Sequence, residues 1–206
     1  MKEEELHKEL ASIRNIMERS SKFISLSGLS GVLAGIYALI GAVIAYFIIR
    51  HNSDAHGFFT AIWRYINVLL YLSAIAVAVL LLSVVTGIIL SVRKAHKRGE
   101  SIWNKTSKLL LFNVAVPLVT GGIMVVILLY NAGIGFIVPA MLIFYGLALF
   151  NAANFTYSDV KYLGIIDIVL GLITACFPKY GLYAWALGFG VMHIIYGSIM
   201  YLKYDR

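Results

Sequence analysis

Two side chains set in apolar surroundings could do chemistry, Asp167 and His193. Asp167 is the only acidic residue inside any apolar segment, and His193 the only histidine inside one. A carboxyl group and an imidazole brought together can share a proton, titrate as a coupled unit, or hold a polar ligand. Their neighbours indicate how they would meet. Asp167 belongs to the series Gly164, Asp167, Gly171, Thr174, and His193 to the series Ala186, Gly190, His193, Gly197. Steps of three and four residues put each series on one helical face. The turn Pro178-Lys179-Tyr180-Gly181 joins the two segments, and folding back about it pairs residues equidistant from the turn. The expectation is Gly164 against Gly197, Asp167 against His193, Gly171 against Gly190 and Thr174 against Ala186. Small residues on such a seam let helices approach closely in lipid. Asp167 lies beyond Lys161 by about 9 Å of helix, at ~1.5 Å per residue. From there its short side chain cannot reach the membrane surface, so it must be protonated, paired or hydrated. Two readings follow: a clasp that orients the hairpin, or a site that exchanges a proton or touches a ligand.

Other polar groups are weaker candidates. Asn113 and Asn151 lie symmetrically about residue 132, and are expected to face each other near one membrane surface as ligand or proton site residues. His51, Asp54 and His56 are metal-ligand types, but they stand in the polar loop Arg50–Arg64 without a partner cluster. They are read as a solvated connection, and no metal or cofactor is expected. Cys176 is the lone cysteine, which excludes an internal disulfide and a cysteine-based zinc cluster. With no nucleophile–base–orienter set, His-rich cluster or phosphate loop, an enzyme is not expected.

The elements that must position Asp167 and His193 follow from composition. The chain has 206 residues, 61% of them hydrophobic and 13% charged, with a mean hydropathy of +0.87. A soluble domain carries about a quarter charged residues. The expectation is an all-α integral membrane protein with the lipid bilayer as its surroundings. Residues 1–22 form an amphipathic helix and 23–206 a bundle of six transmembrane helices arranged as three hairpins. The spans are about 23–49, 65–92, 107–130, 134–151, 161–177 and 182–202. The first carries Gly28, Gly31, Gly35, Ala38, Ala42 and Ala45 in one small-residue stripe. Such a stripe marks a close contact with another helix, of this chain or of another subunit. A faint repeat sets Tyr145-Gly146 beside Tyr196-Gly197, with Thr86-Gly87 as a third counterpart.

The net charge of +7 is not a nucleic-acid footprint, because Lys and Arg lie between the spans. With the N-terminus inside, fourteen of the seventeen fall on the inner side and only Arg50, Arg64 and Lys179 outside. That asymmetry places both termini in the cytoplasm. Before the first span, Leu6, Leu10, Ile13 and Met17 make the narrow seam of a coiled coil on a helix that is neutral overall. A helix that lies on anionic lipid should be basic. The seam is therefore read as packing on a second copy or a cytoplasmic protein, with packing on its own bundle left open.

The segment Tyr162–Leu202 resembles the repeating hairpin of small six-helix bacterial membrane proteins linked to acid resistance. It shares glycine in the first helix, proline at the turn and glycines closing the second helix. The opening Met17–Ala42 resembles uncharacterised bacterial multi-pass membrane proteins encoded beside winged-helix regulators. These resemblances imply a bacterial inner-membrane protein, regulated and stress-related. The favoured reading is a non-enzymatic sensor or interaction component. The alternative is a small-solute transporter, or the substrate-binding membrane subunit of one, with Asp167 and His193 in its path.

Overall fold

A computed structural model describes residues 27–51, 58–97, 99 and 103–205 of the chain. The described residues fold almost wholly as helix, with no strand among them. Helix α1 is Gly28–His51, α2 is Phe58–Lys97 and α3 is Lys105–Tyr130. A 3-10 turn, Ile134–Phe136, leads into α4, Ile137–Ala152, and α5 is Val160–Cys176. The last helix, α6, spans Pro178–Asp205. It opens on the 3-10 turn Pro178–Tyr180 and is α-helical over Gly181–Trp185 and His193–Met200. Between and after these it is π-helical, over Ala186–Met192 and Tyr201–Asp205.

Five segments are long and apolar enough to cross a membrane: α1, α2 from Tyr65, α3, Ile134–Ala152 and α6. Helix α5, at 17 residues, stands at the lower limit of ~17–25 residues for a span. The second helix begins at Phe58, seven residues before the expected span and inside what the sequence suggested was a loop. At 40 residues it is about 60 Å long, twice a hydrocarbon core of ~30 Å. The remainder of that loop, 52–57, and the whole N-terminal seam of Leu6, Leu10, Ile13 and Met17 lie outside the described residues.

Local chemistry sets the ends of α3. Asn104 caps it by accepting from Ser107 N at 2.8 Å, while Ser107 Oγ accepts from Asn104 N at 3.0 Å. These two bonds satisfy helix-start donors that would otherwise go unpaired. At its far end Ala132 takes the left-handed conformation, φ +56°, and the chain reverses into α4.

The glycine stripes lie in close seams, but their partners differ from the expected ones. The hairpin reading paired Gly164 with Gly197 and Gly171 with Gly190. Instead α1 packs on α6 and α4 on α5, while α5 and α6 touch only lightly. A Cβ at Gly31 would stand 3.1 Å from Gly197 Cα, and one at Gly35 2.6 Å from Gly190 O. A Cβ at Gly164 would stand 2.6 Å from Gly146 O, and one at Gly171 3.0 Å from Pro139 O. Backbone meets backbone in both seams, so a methyl group would force the helices apart at Gly35 and Gly164 and is tightly held at Gly31 and Gly171. The physical reason for the exchange is that small-residue stripes are interchangeable. Each fits any other, and the sequence between them does not say which pair wins. The two Tyr-Gly pairs do equivalent work, since Gly146 and Gly197 each contact a glycine of the neighbouring helix. Gly87 has no atom near its missing side chain, and Thr86-Gly87 is no counterpart. The outer helices are simpler: α2 lies along α1 and α3 along α4.

Candidate functional site

Asp167 is completely buried, and so is Leu142 beside it. The carboxyl faces α6, where a Cβ at Gly188 would lie 3.0 Å from Asp167 Oδ1, 2.5 Å from Leu142 Cδ2 and 3.2 Å from Leu170 Cδ2. Neither carboxyl oxygen has a hydrogen-bond partner among the described residues. A buried polar atom without a partner costs about 1–3 kcal/mol, and more when charged. Among the described residues Asp167 is the one fully buried carboxyl group, and it is left unmatched.

His193 is also buried, but Asp167 is not its hydrogen-bond partner. Its Nε2 lies 2.6 Å from Tyr145 Oη of α4, and its Nδ1 lies 2.8 Å from Gly188 O. A carbonyl oxygen can only accept, so Nδ1 carries the hydrogen and donates to Gly188 O. In the neutral ring Nε2 is then an acceptor, and the Tyr145 hydroxyl donates to it. The direct Asp167–His193 pair expected from the hairpin is thus replaced. Tyr145 takes the imidazole, and the carboxyl stands across Gly188 from it. The cause is the same exchange of helix partners that redirects the seams.

The wall behind His193 is aromatic. Tyr145 lies 5.1 Å from Phe189 and 5.3 Å from His193 between ring centroids, and Trp185 lies 5.7 Å from Phe189. Trp185 packs with Ala38 and Ala42 of α1. The π-helical stretch Ala186–Met192 carries Gly188 and places its carbonyl under the imidazole. Single turns of π-helix cluster at functional sites, where they re-aim side chains.

The other predicted residues disperse. Asn113 Nδ2 donates to Leu109 O of its own helix at 2.8 Å, and no hydrogen bond joins it to Asn151. Thr174 is buried and donates to Leu170 O at 2.6 Å. Cys176 is exposed. His51 ends α1, while Asp54 and His56 lie outside the described residues.

A second polar cluster lies at the end of the bundle that carries Ser27 and Asp205. Asp205 Oδ2 accepts from Gly28 N at 2.8 Å and from Ser27 Oγ at 3.2 Å, and so caps α1 from the far end of the sequence. Its other oxygen pairs with Lys94 of α2. Lys94 also donates to Tyr157 Oη at 3.2 Å, and Tyr157 stacks on Tyr204 at 4.0 Å. Asp159 accepts from Lys203 Nζ at 2.6 Å and from Tyr204 Oη at 2.9 Å. The Lys203 hydrogen bond, with Tyr204 adding to it, holds the Asp159 carboxyl below its usual range. Tyr196, packed on the core of Ala153, Tyr157, Val160 and Met200, has a buried hydroxyl without a partner among the described residues.

Sequence reasoning missed Tyr145, Gly188 and Tyr196 as site groups. Tyr145 and Tyr196 were visible only as members of the Tyr-Gly repeat, and Gly188 stood outside both stripes. Comparison with protein-family models, with curated proteins and with solved structures finds no match for this chain.

Proposed function

We propose that this chain is a six-span inner-membrane protein with both termini cytoplasmic, and that it is a proton-coupled transporter of a small solute or the membrane subunit of one. The observation that carries the reading is Asp167: wholly buried, unpartnered, and set beside the Tyr145–His193 pair. Ionisable groups inside membrane helices are costly, and mark proton relays and ion or substrate pathways. The packing favours a proton as the occupant. A methyl group at Gly188 would press on the side-chain ends of Leu142, Asp167 and Leu170, so the closed site holds little more than a proton unless these side chains move. The orientation rests on the fourteen-to-three division of basic residues. The sensor reading rests on residues 2–22, outside the described residues.

The test is electrophysiology on a solid-supported membrane, with protein reconstituted in phosphatidylethanolamine–phosphatidylglycerol vesicles and a panel of amino acids, sugars and organic ions. A transient current with one solute is expected, dependent on pH and lost in Asp167→Asn while the melting curve persists. Silence of the folded protein across the panel would return the chain to the sensor class, while a solute-dependent current indifferent to Asp167→Asn would leave a transporter and remove Asp167 from its path.

A further inference from the structure

Asp167 poses a charge problem that the described residues do not solve. It is completely buried, and neither carboxyl oxygen has a hydrogen-bond partner among them. What lies against it is apolar: Leu142 of α4, Leu170 of its own helix and the bare backbone of Gly188 on α6. The cations of the terminal end are engaged elsewhere, Lys94 with Asp205 and Lys203 with Asp159. Lys161 stands six residues earlier on α5, its ammonium over the Tyr162 ring. His193 and Tyr145 are bonded to each other, and the second His193 nitrogen donates to Gly188 O. A carboxyl group so placed is tolerated only while it is neutral or paired with a positive charge. We propose that Asp167 is an exchange site, holding a proton when closed and, in its place, a monovalent organic cation with an apolar body, such as an alkyl- or arylammonium. The proposal rests on the transport reading for its purpose, but the exchange is measurable in a protein that transports nothing.

Charge balance selects the class of ligand. Once the Asp167 O–H has given its proton to water, an anion would add to the buried charge and a neutral solute would leave it unpaired. One positive charge keeps the site neutral, and only the O–H bond is broken. The donor set then selects an organic cation over a metal ion. A hard metal cation takes about six oxygen ligands, whereas the carboxyl group supplies two. No group of three metal-ligating side chains occurs among the described residues, and the Gly188 carbonyl is held by His193. The rest of the lining is hydrocarbon, which suits the body of an organic cation and gives a bare ion nothing. Room comes from groups that can move. A Cβ at Gly188 would meet Leu142 Cδ2, Asp167 Oδ1 and Leu170 Cδ2, all ends of side chains rather than backbone. Such ends swing aside by changing rotamer. Helices α5 and α6, which face each other here, touch only lightly and can part further than the glycine seams can.

The experiment is titration calorimetry on the full chain in phosphatidylcholine nanodiscs, whose neutral surface does not gather cations. The probes are tetraphenylphosphonium and benzyltrimethylammonium, which carry no proton of their own to release. Repeating each titration in two buffers of different ionisation enthalpy counts the protons set free. Saturable binding of at least one probe is expected, with about one proton released per cation. Its affinity should rise about tenfold per unit of pH while Asp167 is protonated, the slope of a one-for-one exchange. Asp167→Asn should lose the proton release and at least about tenfold in affinity, the scale of one charged contact. Should that variant not fold, the carboxylic C=O band of the parent, assigned by ¹³C-aspartate labelling, should vanish on adding the probe. No saturable binding of either probe, binding without proton release, or equal affinity in Asp167→Asn would overturn the proposal, as would proton release by sodium chloride alone. An Asp167-dependent current carried only by a sugar or an anion would overturn the cation and leave the transporter. Cation-for-proton exchange in a protein that moves no solute would leave the site standing and remove only the transporter.

Discussion

The bundle holds carboxyl groups in two places and treats them oppositely. At the terminal end Asp205 meets Lys94, the Gly28 amide and the Ser27 hydroxyl, and Asp159 meets Lys203 and Tyr204. In the interior Asp167 meets apolar side chains and no donor. A paired charge joins elements of structure together; an unmatched one costs stability and persists for what it can bind. Each region also depends on its own seam. The α1–α6 seam brings Gly28 to Asp205, and the α4–α5 seam sets Asp167 against Leu142 and Gly188.

The largest effects should come from separating the two regions at those seams. Gly197→Leu drives a side chain into the Val32 amide, 2.5 Å from where its Cβ would lie. It should cost ~3 kcal/mol or more and dissolve the terminal cluster while Asp167 stays buried. Gly146→Leu, whose Cβ would lie 2.5 Å from Gly164 O, should do the reverse. Solvent labelling of cysteines introduced beside each cluster reads the outcome, and simultaneous loss of both clusters in either variant would mean that they are not independent.

Next in size is Lys94→Met. Asp205 would keep its two neutral donors, so the loss should be about 2 kcal/mol, below the ~3–5 of a fully stripped buried pair. Thermal melting in detergent gives the value. Asp167→Leu should act with the opposite sign, because the carboxyl has no partner to lose. Removing it is expected to stabilise the protein by about 1–2 kcal/mol while abolishing proton exchange. Destabilisation of the size seen for Lys94→Met would show that Asp167 is paired and would collapse the contrast between the regions.

The smallest effect belongs to Lys203→Ala. The folded protein holds the Asp159 carboxyl below its usual range. A carboxyl depressed in this way contributes stability that is present above its unfolded value and lost as pH falls through the folded one. Without Lys203 the Asp159 carboxyl should titrate nearer its ordinary value, so the part of the acid weakening that comes from Asp159 shrinks. At neutral pH the melting temperature should barely move, as for exposed pairs generally.

The apolar helices were legible because an apolar run of span length has few other uses. Gly31, Gly35, Gly146 and Gly164 announced close packing by type and spacing, and Asp167 announced an interior site by being out of place. Partnership was not legible. A glycine stripe has no shape of its own to distinguish one mate from another, and a hairpin turn suggests adjacency without compelling it. The π-helical stretch of α6 was invisible for a related reason. It changes the rotation per residue, so periods of three and four counted through Ala186–Met192 lose their meaning. With them went the ability to see that His193 would turn to Tyr145.

The bond between Gly28 and Asp205 spans 177 positions of sequence, and this sets a clock on assembly. The ribosome delivers ~5–20 residues per second, so Asp205 follows Gly28 by about 9–35 s at that rate. Helices α4 and α5, close neighbours in sequence, can close their seam while synthesis continues. During that interval the backbone face of Gly28, Gly31 and Gly35 waits with its mate not yet made. Among the described helices, the first to be made is thus the last to have its seam filled.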